Sequence, residues 1–359
     1  MTIVGALVAF TVTVVSLFTL RPVANAVGLV DVPGGRKRHG GPVPVIGGIA
    51  MGIGLAFGSS VVEHPEFWKT SILGVYLLVG VGTIDDRFDL PADVRLIAQT
   101  CASLIVVLAG GIVVSHLGAP FFFDLPLGVL ATPFTVLFIL TLINAFNVID
   151  GIDGLAGGMA LLALGALALI GAGTPLLVLA VLLLAVVAGF LLFNLPLGFN
   201  RSVRTFMGDA GSTFLGLCVA SLGIVVTQGD GALMTPAVGL WLVAVPVFDL
   251  FAAVLRRVME GKSPFAPDHE HLHHVLIEKG LSPRSTLWAM LALAAALAGV
   301  GVLGHRMAVP DGLMVLGWFL AFAGYYQLMR RPTLVVRFVE GVTVAAARVR
   351  PTSLVGRME

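Results

Sequence analysis

Apolar runs long enough to cross a lipid bilayer recur along nearly the whole chain, near residues 3–20, 44–61, 67–84, 96–115, 127–146, 155–172, 175–193, 210–227, 232–255, 286–304 and 312–329. A membrane-crossing helix needs ~20 such residues, so 359 residues hold about eleven crossings and their loops. The runs lack the period-two alternation of a barrel, and a lipid-exposed segment must satisfy its own backbone hydrogen bonds, which leaves helices. A chain that is 58% hydrophobic and 11% charged is also too apolar for a water-soluble domain. The expected fold is an all-α polytopic membrane protein of about 11 transmembrane helices, with one catalytic domain over 1–330 and a basic cytoplasmic or interfacial tail over 331–359.

The positions of the basic residues orient it. With Met1 outside, all of the 21 Lys and Arg except Lys69 and Arg306 fall on the cytoplasmic side, a strong positive-inside asymmetry that puts the C-terminus in the cytoplasm. The first span lacks a basic n-region and an A-x-A-like exit, so it reads as a helix and not a cleaved signal. A net charge of +1 gives no reason to expect a nucleic-acid partner. Cys101 and Cys218 lie inside apolar runs and indicate neither a disulfide nor a thiolate metal site. Gly48, Gly52, Gly54 and Gly58 form small-xxx-small pairs suited to close helix packing.

Carboxylates are costly in or beside spans, so their placement carries information. Asp85 and Asp86 with Asp89 and Asp93, then Asp150 and Asp153, then Asp209, all lie at span ends that the topology maps to one face, and Asp249 lies about two turns from it. Transporter carboxylates belong nearer mid-bilayer, so this pattern favours a site at the membrane–water boundary. The adjacent Asp85 and Asp86 read either as a solvated acidic loop facing Arg87 and Arg95 or as ligands of a hard divalent cation. Asn144, Asn147, Asp150 and Asp153 recur every third residue, a spacing that drifts around a straight helix. Gly151 and Gly154 are expected to break the helix and gather them. Asp209 opens its span as a helix cap, a cation ligand or both. Arg201 and Arg204, in the loop before it, suit bidentate phosphate contact. The histidine-rich stretch Pro267–His274 reads as phosphate-binding, with a metal site or a solvated loop as the other readings. Acids, amides, arginines and histidines on one membrane face suit magnesium-dependent chemistry on phosphates, and no Walker-type phosphate loop is present.

DDRFDL (85–90), NAFNVIDGIDGLAGG (144–158), FMGDAGS (206–212) and PDHEHLHH (267–274), preceded by DVPGGRKRHGGPVPVIGG (31–48), closely resemble the motifs of the polyprenyl-phosphate N-acetylhexosamine-1-phosphate transferases. The resemblance runs over about residues 1–330, and the His-Leu-His-His string looks like the WecA/TagO-like branch more than the MraY-like peptidoglycan branch. It implies transfer of a sugar-1-phosphate, most simply GlcNAc-1-phosphate, from a UDP-N-acetylhexosamine to undecaprenyl phosphate, with Mg2+ as cofactor and Mn2+ as a substitute. It implies a multi-pass protein of the inner (plasma) membrane with its active site on the cytoplasmic face. Residue by residue, it implies Asp209 as magnesium ligand with Asn147 second, and Asp85 and Asp86 as the acidic pair that meets the cation and the lipid phosphate, Asp85 as proton acceptor. Asp150 and His273 join the catalytic set, and Asn144 the substrate site. Asp153, Asn194 and Phe206 match positions at the uridine, Phe206 by stacking. Arg201, Arg204, His271, His273 and His274 match groups at the diphosphate or sugar, Lys37 and His39 lie in a matching basic loop, and Asp249 has a supporting role. The peptidoglycan enzyme and, in a different class, an ion-coupled transporter are the alternatives, and a homodimer is left open.

Overall fold

The computed structural model describes residues 1–32, 41–197, 204–264 and 270–339. The described chain is mostly helical, with one short ribbon and an irregular connection over 110–127, and its elements are α1 (Thr2–Val27), β1 (Val30–Asp31), β2 (Val43–Pro44), α2 (Gly47–Ser60), α3 (Glu66–Phe88), α4 (Ala92–Leu104), α5 (Ala131–Ile149), α6 (Leu155–Ile170), α7 (Leu176–Asn194), α8 (Gly208–Thr227), α9 (Pro236–Leu242), α10 (Ala244–Met259), α11 (Leu272–Glu278), α12 (Pro283–Arg306) and α13 (Asp311–Arg330). This is an all-α polytopic membrane protein. Among the described residues eight helices are long and apolar enough to cross a bilayer, or nine if α9 and α10, bent by 83° at their junction, are counted as one broken span. The two remaining expected spans are α2 and α6, at 14 and 16 residues. At 1.5 Å per residue both fall short of a ~30 Å hydrocarbon core, so length alone does not carry them across.

Local signals set the ends. α1 stops at Gly28, in the left-handed region at φ 72, whose N–H bonds back to the Ala24 carbonyl. Asp89 (φ 53) and Pro91 separate α3 from α4, which continues as a π-helical turn over Ile105–Ala109. Ser282 accepts the Ser285 N–H at 3.0 Å and Pro283 fills the first turn, starting α12.

α8 is the central helix. Nearly all its residues from Ala210 to Thr227 are buried. Small residues allow this: a side chain at Gly82 of α3 or Gly48 of α2 would meet the Ala210 backbone, and one at Gly216 would meet Ile143 of α5. In the glycine row of α2, Gly54 and Gly58 face Ala9 and Thr13 of α1, while Gly48 faces α8.

The two ends of the bundle differ. One end carries the α8 N-terminus, the ribbon, and the ends of α3 and α5. At the other, Gln228, next after α8, accepts the Ser115 and His116 N–H groups, and Asp311 accepts that of Ala119. Lys69 and Arg306, the two residues of opposite sidedness, lie on helix ends at this second pole. Residues 332–339 continue as helix, with Val336 buried, and the rest of the basic tail lies outside the described residues.

Candidate active site

The site is built on the first turn of α8. Its entry strand is clamped by backbone: Phe206 N–H donates to Pro44 (2.9 Å), Gly47 N–H to Phe206 (3.0 Å) and Gly48 N–H to Met207 (3.1 Å). Gly208, at φ 72, turns the chain into the helix where a side chain would strike Asp86 and Val45. The opening N–H groups of a helix have no intrahelical acceptor and form its positive end. Asp86 answers them, with Oδ1 accepting from Asp209 N–H at 2.7 Å and Oδ2 from Ala210 N–H at 3.2 Å. The cap of α8 is thus supplied by α3 and not by Asp209.

That leaves the Asp209 carboxyl for the site. Its Oδ1 accepts from Asn147 Nδ2 at 2.5 Å, and the same amide reaches Ser212 Oγ at 3.1 Å. Oδ2 lies 3.8 Å from Arg95 Nη1, which is also 3.5 Å from Oδ2 of Asp85. Asp85 is 5% exposed and fixed through Oδ1 by Leu90 N–H at 2.7 Å, made possible by the left-handed turn at Asp89. The acidic pair therefore divides: Asp85 faces Asp209, and Asp86 holds the backbone on which Asp209 stands.

The Asn144–Asp153 row is divided by a helix end, as its glycines imply. Asn144 and Asn147 occupy the last turns of α5; Asp150 and Asp153 lie in the turn that follows, with Gly154 at φ 82 opening α6. Asn144 turns away from Asp209 and donates to Gln99 Oε1 on α4 at 2.9 Å. Burial, reinforced by the fields of Asp209, Asp86 and Asp153, pushes the Asp150 carboxyl well above the usual carboxylate range. Asp153 pairs with Arg204 at 2.5 Å, and the Arg204 guanidinium lies 4.9 Å over the Phe206 ring. Asn194 is buried and joins two segments, accepting from Gly154 N–H (2.6 Å) and donating to the Thr205 carbonyl (2.9 Å). Its present bonds position the turn and the strand.

The histidines approach from the C-terminal side. Asp249, fully buried on α10, holds His271 through Nδ1 at 2.8 Å. His273 is 0% exposed, has no hydrogen-bond partner for either ring nitrogen among the described residues, and packs on Gly151. Its ring lies parallel to His271 at 6.0 Å and tilts against the exposed His274 at 4.1 Å. Burial drives the His273 imidazole down to about 3, so it is neutral at pH 7. Lys37, His39 and Arg201 lie outside the described residues.

Arg95 and Gln99, one turn apart on α4, lie outside the quoted motifs, and Ser212, one turn into α8, closes the FMGDAGS motif without an assigned role in the sequence. Arg95 follows Asp85 by ten residues, and only the turn between α3 and α4 brings its guanidinium between the two carboxylates.

Among the described residues no three His, Cys, Asp or Glu side chains stand at metal-ligand spacing. Magnesium does not demand such a cage, since it keeps waters and takes one or two carboxylates plus substrate phosphates. The hard oxygens of Asp85 and Asp209, already sharing one cationic group, fit that donor set.

Fold and site together define a polytopic membrane protein whose polar, acid-lined site opens at one end of the bundle. A family model described as glycosyl transferase family 4 matches residues 68–227, from α3 to the end of α8. The Undecaprenyl-phosphate alpha-N-acetylglucosaminyl 1-phosphate transferase of Pasteurella multocida (strain Pm70) is 34% identical over 96% of this chain and 98% of its own length. Proteins of the same name from Haemophilus influenzae and Escherichia coli (strain K12) are 34% and 35% identical, over 93% of this chain in each case and 96% and 92% of their own lengths. The chain belongs to glycosyl transferase family 4, and to its polyprenyl-phosphate N-acetylhexosamine-1-phosphate transferases.

Proposed function

We propose that this protein transfers N-acetylglucosamine 1-phosphate from UDP-N-acetylglucosamine to undecaprenyl phosphate, the initiating step of a cell-envelope polysaccharide. The observation that carries this reading is the Asp85–Arg95–Asp209 corner at the head of α8, in a chain that matches transferases so named along nearly their whole length. In the reaction an oxygen of the lipid phosphate bonds to the sugar-linked phosphorus of the nucleotide, and the bond from that phosphorus to the bridging oxygen breaks. The products are the lipid diphospho-sugar and UMP.

Asp85 takes the proton of the lipid phosphate or orients it, and Asp86 keeps the α8 terminus in place. Asp209 and Asp85 would hold Mg2+, with Asn147 beside them and Mn2+ a workable substitute. The cation's contribution is to offset the repulsion between two anionic phosphates. Arg204, anchored on Asp153, and Phe206 form a cation–π pair whose outer face suits a uracil ring and its phosphates. His271, His273, His274 and Arg201 serve the diphosphate and sugar, and Lys37 and His39 extend the basic surface. Positive charge crowding toward the site end supports eleven crossings, Met1 outside and a cytoplasmic active site in the plasma membrane, with α2 and α6 counted as short crossings. We read 1–330 as the catalytic unit and 331–359 as its tail.

Purified protein given undecaprenyl phosphate, Mg2+ and a panel of UDP-sugars should yield the lipid-linked GlcNAc product by mass. A product only from UDP-MurNAc-pentapeptide would move the protein to the peptidoglycan reaction. Solute accumulation in sealed vesicles without lipid product would make it a transporter.

A further inference from the structure

Asp249 is the most completely enclosed acid of the described chain, and its surroundings are built to use it. It is 0% exposed on α10 and accepts three hydrogen bonds: from Tyr325 Oη on α13 at 2.7 Å, from Leu272 N–H at 2.9 Å, and from His271, whose Nδ1 lies 2.8 Å from its second oxygen. Tyr325 is itself held: its ring and those of Trp318 and Phe322 surround Phe248, the residue before Asp249, with centroids 4.8 to 5.7 Å apart. A carboxylate in an apolar bundle is costly, and hydrophobic replacement of such groups is often neutral or stabilising. Stability alone is therefore a weak reason for building this triad, whereas histidine orientation is a specific one.

We infer that Asp249 and Tyr325 are positioning residues that lock His271 with Nδ1 toward Asp249, so that Nε2 is the nitrogen offered to the diphosphate. A histidine's working nitrogen is set by the hydrogen bond its other nitrogen makes. Here that bond comes from Asp249 on α10, which Tyr325 on α13 holds in turn, and both helices lie beyond the matched family segment, 68–227. The Leu272 N–H bond to the same carboxylate fixes the backbone beside the ring, so ring and main chain are held by one group. His273 stacks parallel to His271 and rests on Gly151, which carries the arrangement from α10 and α13 to the turn bearing Asp150. The titratable groups facing His271 are Asp249 from α10, His273 and His274 from α11, and, through Asp249, Tyr325 from α13. This inference rests on His271 serving the substrate as proposed above.

The test is a double-mutant cycle on kcat, with UDP-GlcNAc KM and thermal unfolding in detergent measured alongside. Asp249→Asn puts an amide against Nδ1 and inverts the preferred tautomer. Where a carboxylate orients a catalytic histidine this exchange has cost up to ~10⁴-fold in kcat, and a loss of at least about 100-fold is expected here with KM within about threefold. Tyr325→Phe, which keeps the ring packing, should cost about five- to tenfold in kcat. In a His271→Ala background neither substitution should lower kcat further, because both act through that ring. Multiplying losses, or wild-type turnover by folded Asp249→Asn, would overturn the inference. Wild-type turnover by His271→Ala would instead remove His271 from the substrate site, and the inference with it.

Discussion

Asp86 Oδ1 accepts the backbone N–H of Asp209 at 2.7 Å, so a residue on α3 caps the helix whose first acid faces the site. Asp85 and Asp86 are adjacent in sequence yet point to different tasks, because neighbours on a helix are about 100° apart in azimuth. One meets the Asp209 side chain through Arg95, and the other holds the Asp209 main chain.

Removing the cap should therefore act on stability as well as turnover. Asp86→Ala is expected to lower unfolding stability by ~1–2 kcal/mol, the usual cost of losing an N-cap, and to reduce transfer sharply because Asp209 shifts with its helix. Thermal unfolding with and without UDP-sugar checks this. Asp85→Ala leaves the α8 cap in place and gives up one backbone bond, from Leu90 N–H, so it should cost less stability than Asp86→Ala.

Arg95 competes with any cation for Asp85 and Asp209. Arg95→Gln should lower the Mg2+ concentration for half-maximal activity by about tenfold, as one unit of positive charge is withdrawn from between two carboxylates. Maximal turnover should fall as well. A Mg2+ titration of both proteins reads the shift, and an unchanged midpoint would show that the guanidinium does not share the cation's ligands.

His273 is held near 3 by burial against about 6.5 in an unfolded chain, so the unfolded state binds the extra proton between those values. Its burial as a neutral ring is fully tolerated above pH 6.5, and stability is lost progressively as pH falls through that window toward 3. At pH 5 the loss from this one residue is about 2 kcal/mol. His273→Gln should flatten the decline in melting temperature between pH 7 and pH 5.

Phe206→Ala should weaken UDP binding by ~1–3 kcal/mol if the ring stacks on uracil, with a smaller effect on kcat. Isothermal titration with UDP measures it directly, and unchanged affinity would assign Phe206 to holding Arg204 alone.

Much of the bundle was legible because apolar runs and charges are one-dimensional signals: every expected span has a helix at its place. The count of long helices was not, since α2 and α6 are shorter than their apolar runs, which extend into turns and the ribbon. The ribbon itself, two residues on each side, is too short to leave a periodic trace. At the site, the four motifs were legible as chemistry but not as roles. Asn144 and Asn147 look equivalent in sequence, yet one faces Gln99 and the other Asp209, because three residues turn a helix by about 300° and present them to different neighbours. Arg95, Gln99 and Tyr325 bond across helices, a relationship that spacing along the chain does not encode.

The central claim is that Asp85 and Asp209, brought together from α3 and α8, form the reacting corner of a GlcNAc-1-phosphate transferase. UMP release from UDP-GlcNAc in the presence of undecaprenyl phosphate, followed in wild type, Asp85→Asn and Asp209→Asn, tests it most directly. The account predicts at least ~10³-fold loss in both variants with folding intact, as for removal of a group acting in the transition state. Turnover at the wild-type rate by either folded variant would contradict it.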